Sequence, residues 1–220
     1  MSFKYSLEEG KIGEQMFIDF LNCNNIKFID VRDDELCQWL DIDFIILKNN
    51  HTKEEVLKHI RSGNEIERRK RIDEIGYAVE VKVDKVIHCR DNKNGKITYG
   101  TNNLVYEIIS HNMPGCLARC YSDYILYVCM DVFEPITKLS EVYLIDLYRW
   151  RQAIGKSIRD KEKVFLKSLE CVKENGKEVK EDIVNILYSI DNIKEKKEIC
   201  KNITDKFKNL FPKDLYFKKK

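Results

Sequence analysis

The chain has 220 residues, of which 43% are hydrophobic and 35% charged, and its 39 basic and 37 acidic side chains leave a net charge of +2. The hydrophobic fraction is large enough for a folded core and excludes disorder along the whole chain. The small net charge does not mark a nucleic-acid-binding protein, although a basic groove opposite an acidic face would give the same total. The length predicts one domain, with or without an extension.

The sequence carries no signal for a membrane or a secretory pathway. Its apolar runs stay below the roughly 18 residues of a membrane-spanning helix. The N-terminal stretch MSFKYSLEEGKIGEQ lacks the apolar core of a signal peptide. The eight cysteines are scattered without a CxxC pair, which is typical of reduced thiols. We therefore expect a cytoplasmic protein without a membrane partner.

The hydrophobic pattern predicts the elements in chain order. Ser6 and Glu9 form a capping box ahead of a helix at about 7–23. Strands follow at 26–31 and 37–48, and then a charged segment at 49–72 that we expect to be an exposed insertion. The later elements are a strand within 75–90, a turn at 91–96, a short helix at 102–112, strands at 121–133 and from 141, a helix that begins near Asp146, and lysine-rich helices from 155 onward.

This order predicts an α/β or α+β fold, and of the two we expect an α/β fold in which a mixed central sheet is flanked by helices. We expect the core to occupy residues 1–155 and a helical, lysine-rich extension to occupy residues 156–220.

The strand YAVEVKVD, residues 77–84, carries two charges within an apolar run. Because side chains alternate along a strand, Glu80 and Lys82 lie on the same side as Ala78, and the three valines lie on the other. A charged side of this kind either faces water or forms a site.

The preceding strand carries a similar anomaly in the stretch LDIDFIIL. It is apolar on both sides, which is typical of a buried central strand. A carboxylate at Asp43 is costly there unless a cation compensates it. Asp41 lies on the same side and is an alternative, either as the main acid or as a supporting one.

The first helix brings a further carboxylate. Glu14 falls inside the apolar arc of the helix, between Leu21 and Ile18, and would therefore point toward the sheet. Its neighbour Gly13 would let the helix approach the sheet closely.

A helical Glu14, an Asp43 on a strand and Glu80-Val81-Lys82 on the next strand together resemble the PD-(D/E)xK nucleases. The resemblance is to the restriction-endonuclease-like and Holliday-junction-resolvase-like branch and covers residues 10–154. The stretches GCLARCYSDYILYV and EVYLIDLYRWRQAI are similar to the strands and helix that close the sheet in some members. Two departures are the missing proline before the aspartate and the long segment 49–72 between the two acidic positions.

The resemblance implies a metal-dependent endonuclease that hydrolyses phosphodiester bonds in DNA on a restriction-endonuclease-like core. Asp43 and Glu80 suit a magnesium or manganese ion as hard oxygen ligands, with the Val81 carbonyl as a further ligand. Lys82 would orient the attacking water or stabilise the transition state. Glu14 would complete the metal shell directly or through a water.

Two other interpretations stay open. In the first, the chain has the nuclease fold but is a catalytically inactive module for DNA binding or assembly. In the second, it is an unrelated α/β protein in which Lys82 forms a purely structural ion pair with a buried carboxylate. A zinc site is not expected, since His111, Cys116 and Cys120 lack a fourth partner at ligand spacing.

Several positions are candidates for contacts with nucleic acid: Arg68, Arg69, Lys70, Asn103 and Tyr106. The basic run is equally explained by a solvated helix, and the two later residues by the polar side of an amphipathic helix. The basic C-terminal end could likewise either contact phosphates or be a solvated charged segment. The expected C-terminal helices could also form a homodimer contact.

Overall fold

In the computed structural model, helices pack on two sheets, and the first sheet contains the charged strand. The structure describes residues 3–84, 89–90, 97–99, 103–110, 113–115, 119–133, 136–159, 165–174, 177–189, 196–208 and 215–216. The helices are α1 (Phe3–Cys23), α2 (Glu35–Trp39), α3 (Lys53–Arg61), α4 (Glu65–Ile75), α5 (Leu147–Arg159) and α6 (Thr204–Lys208).

The strands follow the same chain order. They are β1 (Phe28–Asp30), β2 (Phe44–Leu47), β3 (Gly76–Asp84), β4 (Cys89–Arg90), β5 (Ile97–Tyr99), β6 (Asn103–Ser110), β7 (Met113–Pro114), β8 (Tyr124–Phe133), β9 (Ile136–Asp146), β10 (Phe165–Glu174), β11 (Lys177–Ser189), β12 (Cys200–Asn202) and β13 (Leu215–Tyr216).

The first sheet has the mixed character that the sequence predicts. Its main path runs β1–β2–β3–β8–β9–β12, and only the β3–β8 pair along this path is parallel. Strand β4 continues beside β8 and pairs with β5, while β13 pairs with β9. The second sheet is antiparallel, in the order β10–β11–β6–β7. The expected α/β class with a mixed sheet and flanking helices is confirmed.

Helix α1 covers one side of the first sheet. Its Met16 and Phe17 pack on Val79, Val81 and the neighbouring residues of β8. This is the valine side of β3, so the valines anchor the strand in the core.

The other side of the first sheet carries two separate apolar clusters. One packs α3 and α4 on Ile45 and Ala78. The second packs α5 and the second sheet on Ile125 and Tyr127. In the parallel register, Glu80 lies beside Ile125 and Lys82 beside Tyr127. The two charged residues therefore lie between the two clusters.

The expected strand at 37–48 is correct only for its second half. Asp34 caps a helix instead, because its carboxylate accepts hydrogen bonds from the N–H groups of Leu36 and Cys37. The chain then turns at Asp41, whose φ of 51° is left-handed, and β2 begins at Phe44.

The charged segment 49–72 is more than an exposed insertion. It supplies α3 and most of α4, each of which begins with a capping box, at Thr52 and Asn64 respectively. Their apolar side is buried against the sheet through Val56, Ile60 and Ile72. The expectation of exposure holds for the charged side only.

Two helical predictions are wrong. The segment 102–112 contains strand β6 rather than a helix, because it pairs with β11 at the centre of the second sheet. In the expected helical extension at 156–220, α5 ends at Arg159 and the residues described beyond it are mainly strands. These strands pair with both β6 and β9, so the C-terminal segment belongs to the same sheets as the core. The turn expected at 91–96 lies outside the described residues.

Candidate functional site

The pairing of β2 with β3 brings Asp43 and Glu80 side by side. Asp43 lies directly before β2, and its N–H donates to the carbonyl of Val79 at 3.0 Å. Its carboxylate accepts from the N–H of Val81 at 2.7 Å. The carboxyl of Glu80 in turn donates a hydrogen bond to the carboxylate of Asp43. The two acids predicted from separate strands therefore form one carboxyl pair.

The surroundings of the carboxyl pair disfavour two negative charges. Burial raises the pKa of Asp43 above its ordinary value, although the Val81 N–H opposes this. Burial also raises the pKa of Glu80, and the adjacent Asp43 raises it further. The pair therefore retains a proton between its oxygens under conditions in which exposed carboxyls have lost theirs.

Lys82 supplies positive charge to the carboxyl pair. It lies on the same side of β3 as Glu80, and its Nζ is 3.4 Å from the Glu80 Oε1 atom. The side chain of Glu80 is only 12% exposed. This charge lowers the pKa of both acids, but burial outweighs it, helped by the charge of Glu14 at Asp43 and by the charge of Asp43 at Glu80. Lys82 therefore does not fully compensate the two acids, and a further cation at the site would be favourable.

The Val81 carbonyl belongs to the same edge. Within a strand residue the N–H and the C=O point to the same side, toward the same neighbouring strand. Because the Val81 N–H binds Asp43, its carbonyl also points past the start of β2. This direction suits the predicted role of a backbone oxygen ligand.

Glu14 is placed differently from the carboxyl pair. Helix α1 lies on the valine side of β3, where a Cβ on Gly13 would overlap the side chain of Val83, so the predicted close approach at Gly13 is confirmed. Half-buried Glu14 forms an ion pair with Arg32. Its charge reaches Asp43 and contributes to the raised pKa there.

Arg32 is a site residue that the sequence reasoning missed. Its guanidinium also donates to Asp30, at 2.9 Å from Nε to Oδ1, and lies over the ring of Phe44 at 5.0 Å. The Glu14 carboxylate therefore already has a cation. Within the described part of the chain, no three or more His, Cys, Asp or Glu side chains form a group that could hold a metal ion. The structure brings together Asp43, Glu80 and Lys82, but not Glu14.

Asp41 supports the site rather than joining the carboxyl pair. Its carboxylate accepts two hydrogen bonds from Arg119, at 3.1 and 3.2 Å. Its carbonyl accepts from the hydroxyl of Ser122 at 2.7 Å and from the thiol of Cys120. Asp41 also raises the pKa of Glu80. Of the two aspartates that the sequence left as alternatives, Asp43 is the one paired with Glu80.

Most of the predicted basic run is committed to contacts within the protein. Arg68 donates to the Ile60 carbonyl at 2.7 Å. Arg69 binds Asp123, and also lies 3.0 Å from Asp73. Lys70 is exposed. Arg68 therefore fastens α4 to α3, Arg69 fastens it to the segment before β8, and exposed Lys70 is the member of the run that could contact a ligand.

The two later candidates for nucleic-acid contacts are on β6. Asn103 and Tyr106 lie on a strand of the second sheet rather than on a helix, and their side chains lie outside the described residues. His111 and Cys116, two of the three residues considered for a zinc site, also lie outside the described residues.

A surface groove of about 720 Å³ lies between α4, α5 and the segment before β8. Its lining residues are Glu65, Ile66, Arg69, Lys70, Asp73, Cys120, Tyr121, Ser122, Asp123, Tyr148 and Arg151. Two of them, Cys120 and Ser122, contact Asp41. We call this cavity the α4–α5 groove.

Comparisons with family models, with curated proteins and with solved structures gave no match for this chain. Among the residues that the structure describes, no helix is long and apolar enough to cross a membrane.

Proposed function

We propose that this protein is a metal-dependent endonuclease that hydrolyses phosphodiester bonds in DNA. The observation that carries the proposal is the buried carboxyl pair of Asp43 and Glu80, with the Lys82 ammonium 3.4 Å from Glu80. Two acids and a lysine that converge in this way are unusual for a structural core, because each desolvated charge costs free energy.

The donor set suits a magnesium or manganese ion. Two carboxyls that share a proton have oxygens close enough for one divalent cation to replace that proton. The Val81 carbonyl would add a third oxygen, and the ion would keep several waters. Glu14 would join only if Arg32 released it. When bound, the ion would lower the pKa of a water and offset charge on the phosphate.

The chain's own groups have separate tasks in this scheme. The Val81 N–H fixes the orientation of the Asp43 carboxylate. Lys82 places a positive charge beside the site, where it would orient the attacking water or stabilise the charge that grows on the phosphate oxygens. Arg119 holds Asp41 in place, and this keeps a third carboxylate out of the carboxyl pair.

A second candidate has one observation in its favour. Arg32 neutralises Glu14, the acid that would complete a three-carboxylate metal shell, and this arrangement would suit an inactive nuclease-like module that binds DNA or assembles with other proteins. The predicted homodimer contact of the C-terminal segment stays a prediction in either case.

The two candidates are separated by an assay of the purified chain on supercoiled, linear and branched DNA, and on RNA, with magnesium or manganese. We expect cleavage of at least one DNA form. Lys82→Ala and Glu80→Gln are each expected to reduce its rate about 100-fold or more. Lys58→Ala and Glu54→Gln, which change exposed residues of α3, are the matched controls and are expected to cut normally.

Cleavage of neither DNA nor RNA with either metal would refute the nuclease proposal. Binding of DNA without cleavage would instead support the inactive module. Cleavage of RNA alone would retain the chemistry and correct the substrate.

A further inference from the structure

We propose that Arg32 regulates metal binding at the carboxyl pair by competing with the metal ion for Glu14. The protein then has two states. Glu14 is paired with Arg32 in the first, as in this structure, and joins Asp43 and Glu80 around the ion in the second. That a metal ion binds here rests on the proposed function, whereas the ion pair and its position are features of the structure.

Arg32 is held beside Asp43 by the strand pairing. The N–H of Val31, the residue before Arg32, donates to the Asp43 carbonyl at 3.0 Å. The Arg32 guanidinium also lies 5.0 Å from the centre of the Phe44 ring, the residue after Asp43. The backbone and the side chain of this segment therefore both contact the start of β2.

Glu14 approaches the same point from helix α1. It follows Gly13, where a Cβ would lie 3.6 Å from the Cγ1 atom of Val81, and the N–H of Val81 donates to the Asp43 carboxylate. The charge of Glu14 accordingly contributes to the raised pKa of Asp43. Glu14 is therefore close enough for its side chain to exchange Arg32 for an ion at the carboxyl pair.

Arg32 has a second acid that would keep its charge compensated after the exchange. Its Nε atom lies 2.9 Å from Oδ1 of Asp30, and its Nη2 atom lies 2.5 Å from Oδ2 of the same carboxylate. Such a two-bond contact is the strongest arrangement of an arginine and a carboxylate, and Asp30 raises the pKa of Arg32 more than Glu14 does. Release of Glu14 therefore leaves Arg32 with its stronger partner rather than as an unpaired, half-buried cation.

The ion pair has a consequence for metal affinity. While Arg32 holds Glu14, an incoming ion meets two carboxyls that share a proton, next to the Lys82 ammonium. The affinity of an oxygen-ligand site rises with the number of its charged ligands. The first state should therefore bind metal weakly, and the free energy of the Arg32–Glu14 contact sets the metal concentration at which the second state forms.

The test measures Mn²⁺ binding by isothermal titration calorimetry without nucleic acid, so that it does not depend on cleavage. Arg32→Met, which keeps an apolar stem beside Phe44, is expected to bind Mn²⁺ about 5- to 150-fold more tightly than wild type, the usual range for two coupled interactions. Arg32→Gln is a second neutral variant with the same expected gain. Thermal unfolding of both variants would identify the one that keeps the fold.

Lys53→Met is the matched control for the loss of one positive charge. Lys53 forms an ion pair with Asp33, and its charge also reaches Asp30, but its removal leaves Glu14 paired with Arg32. This variant should bind Mn²⁺ like wild type. A gain as large as that of Arg32→Met would show that net charge alone sets the affinity and would overturn the proposal.

Two double variants test whether Glu14 is the group that is released. Arg32→Met with Glu14→Gln should lose the gain. Arg32→Met with Glu14→Asp keeps the negative charge on a side chain one methylene shorter, and it should lose the gain as well. Retention of the gain in either double variant would overturn the proposal, because a different acid or charge alone would then be responsible. Equal affinity of wild type and the single Arg32 variants, or no Mn²⁺ binding by any of them, would also overturn it.

The outcomes for Arg32 and for catalysis are distinguishable. If Mn²⁺ affinity depends on Arg32 and Glu14 as expected but neither wild type nor Arg32→Met cuts nucleic acid, the role of Arg32 stands and the nuclease proposal fails. If wild type cuts DNA and the Arg32 variants bind Mn²⁺ like wild type, the nuclease proposal stands and the role of Arg32 fails.

Discussion

Replacing Glu80 with glutamine is expected to stabilise the folded protein at neutral and alkaline pH while it removes metal-dependent cleavage. Burial and the adjacent Asp43 raise the pKa of Glu80 above its ordinary value of 4.5, so the folded chain holds this proton more tightly than the unfolded chain does. Glutamine keeps a hydrogen-bond donor toward Asp43 and carries no charge. The substitution therefore preserves the contact and removes the buried charge.

The direction of the pH dependence follows from linkage. A carboxyl with a raised folded pKa stabilises the fold most at low pH, and this contribution is lost as pH rises from about 4.5 through the raised value. Each unit by which a pKa is raised corresponds to about 1.4 kcal/mol. For an acid buried beside a second acid, we expect Glu80→Gln to add about 1–3 kcal/mol at pH 8 and little at pH 4.

Thermal unfolding without divalent metal at pH 4, 6 and 8 would measure this effect. For a chain of this length, a gain of 1 kcal/mol raises Tm by about 2–4 °C. Glu54→Gln changes an exposed acid on α3 and is the control, for which no pH-dependent gain is expected. An equal or lower Tm for Glu80→Gln at pH 8 would show that Glu80 is not a destabilising buried acid, and the electrostatic argument for the site would fail.

Other predictions concern packing and the basic run. Gly13→Ala should cost about 1–3 kcal/mol in chemical denaturation, because its Cβ would overlap Val83. Gly10→Ala in the same helix has open space around its Cβ and should be neutral or stabilising; equal effects would contradict the close packing of α1. Arg69→Met should lower the unfolding free energy by about 1–3 kcal/mol, because it leaves Asp123 without its cation. Unchanged stability with weaker nucleic-acid binding would assign Arg69 to the ligand instead.

Regular alternation made part of the fold predictable. Strand β8 and helix α5 were predicted at nearly their observed positions, and α5 has a clear apolar side. Strand β9 was predicted from 141, whereas it begins at Ile136. The alternation of side chains also revealed the charged side of β3. Glu80 and Lys82 are two residues apart within a run of valines, so the sequence alone places both charges on one side of the strand.

The segments of the two failed helix predictions have compositions that permit a helix. Strand β6, within 102–112, instead pairs with β11 across 75 residues of sequence or more, and β10 pairs with the adjacent β11 to extend the same sheet. Long-range strand pairing overrides local propensity in this way because the decisive contacts are not local. The helix at Glu35–Trp39 was missed for the opposite reason, since one capping residue, Asp34, decides it locally.

The sequence by itself determined which residues are candidates. It singled out Glu80, Lys82 and Asp43, because charges within buried apolar strands need a compensating partner. Only the tertiary structure decided which candidates meet. The β2–β3 register places Asp43 beside Glu80. Arg119 forms an ion pair with Asp41, and Arg32 forms one with Glu14. Such partners are distant in sequence and are selected by the geometry of packing, which no local pattern records.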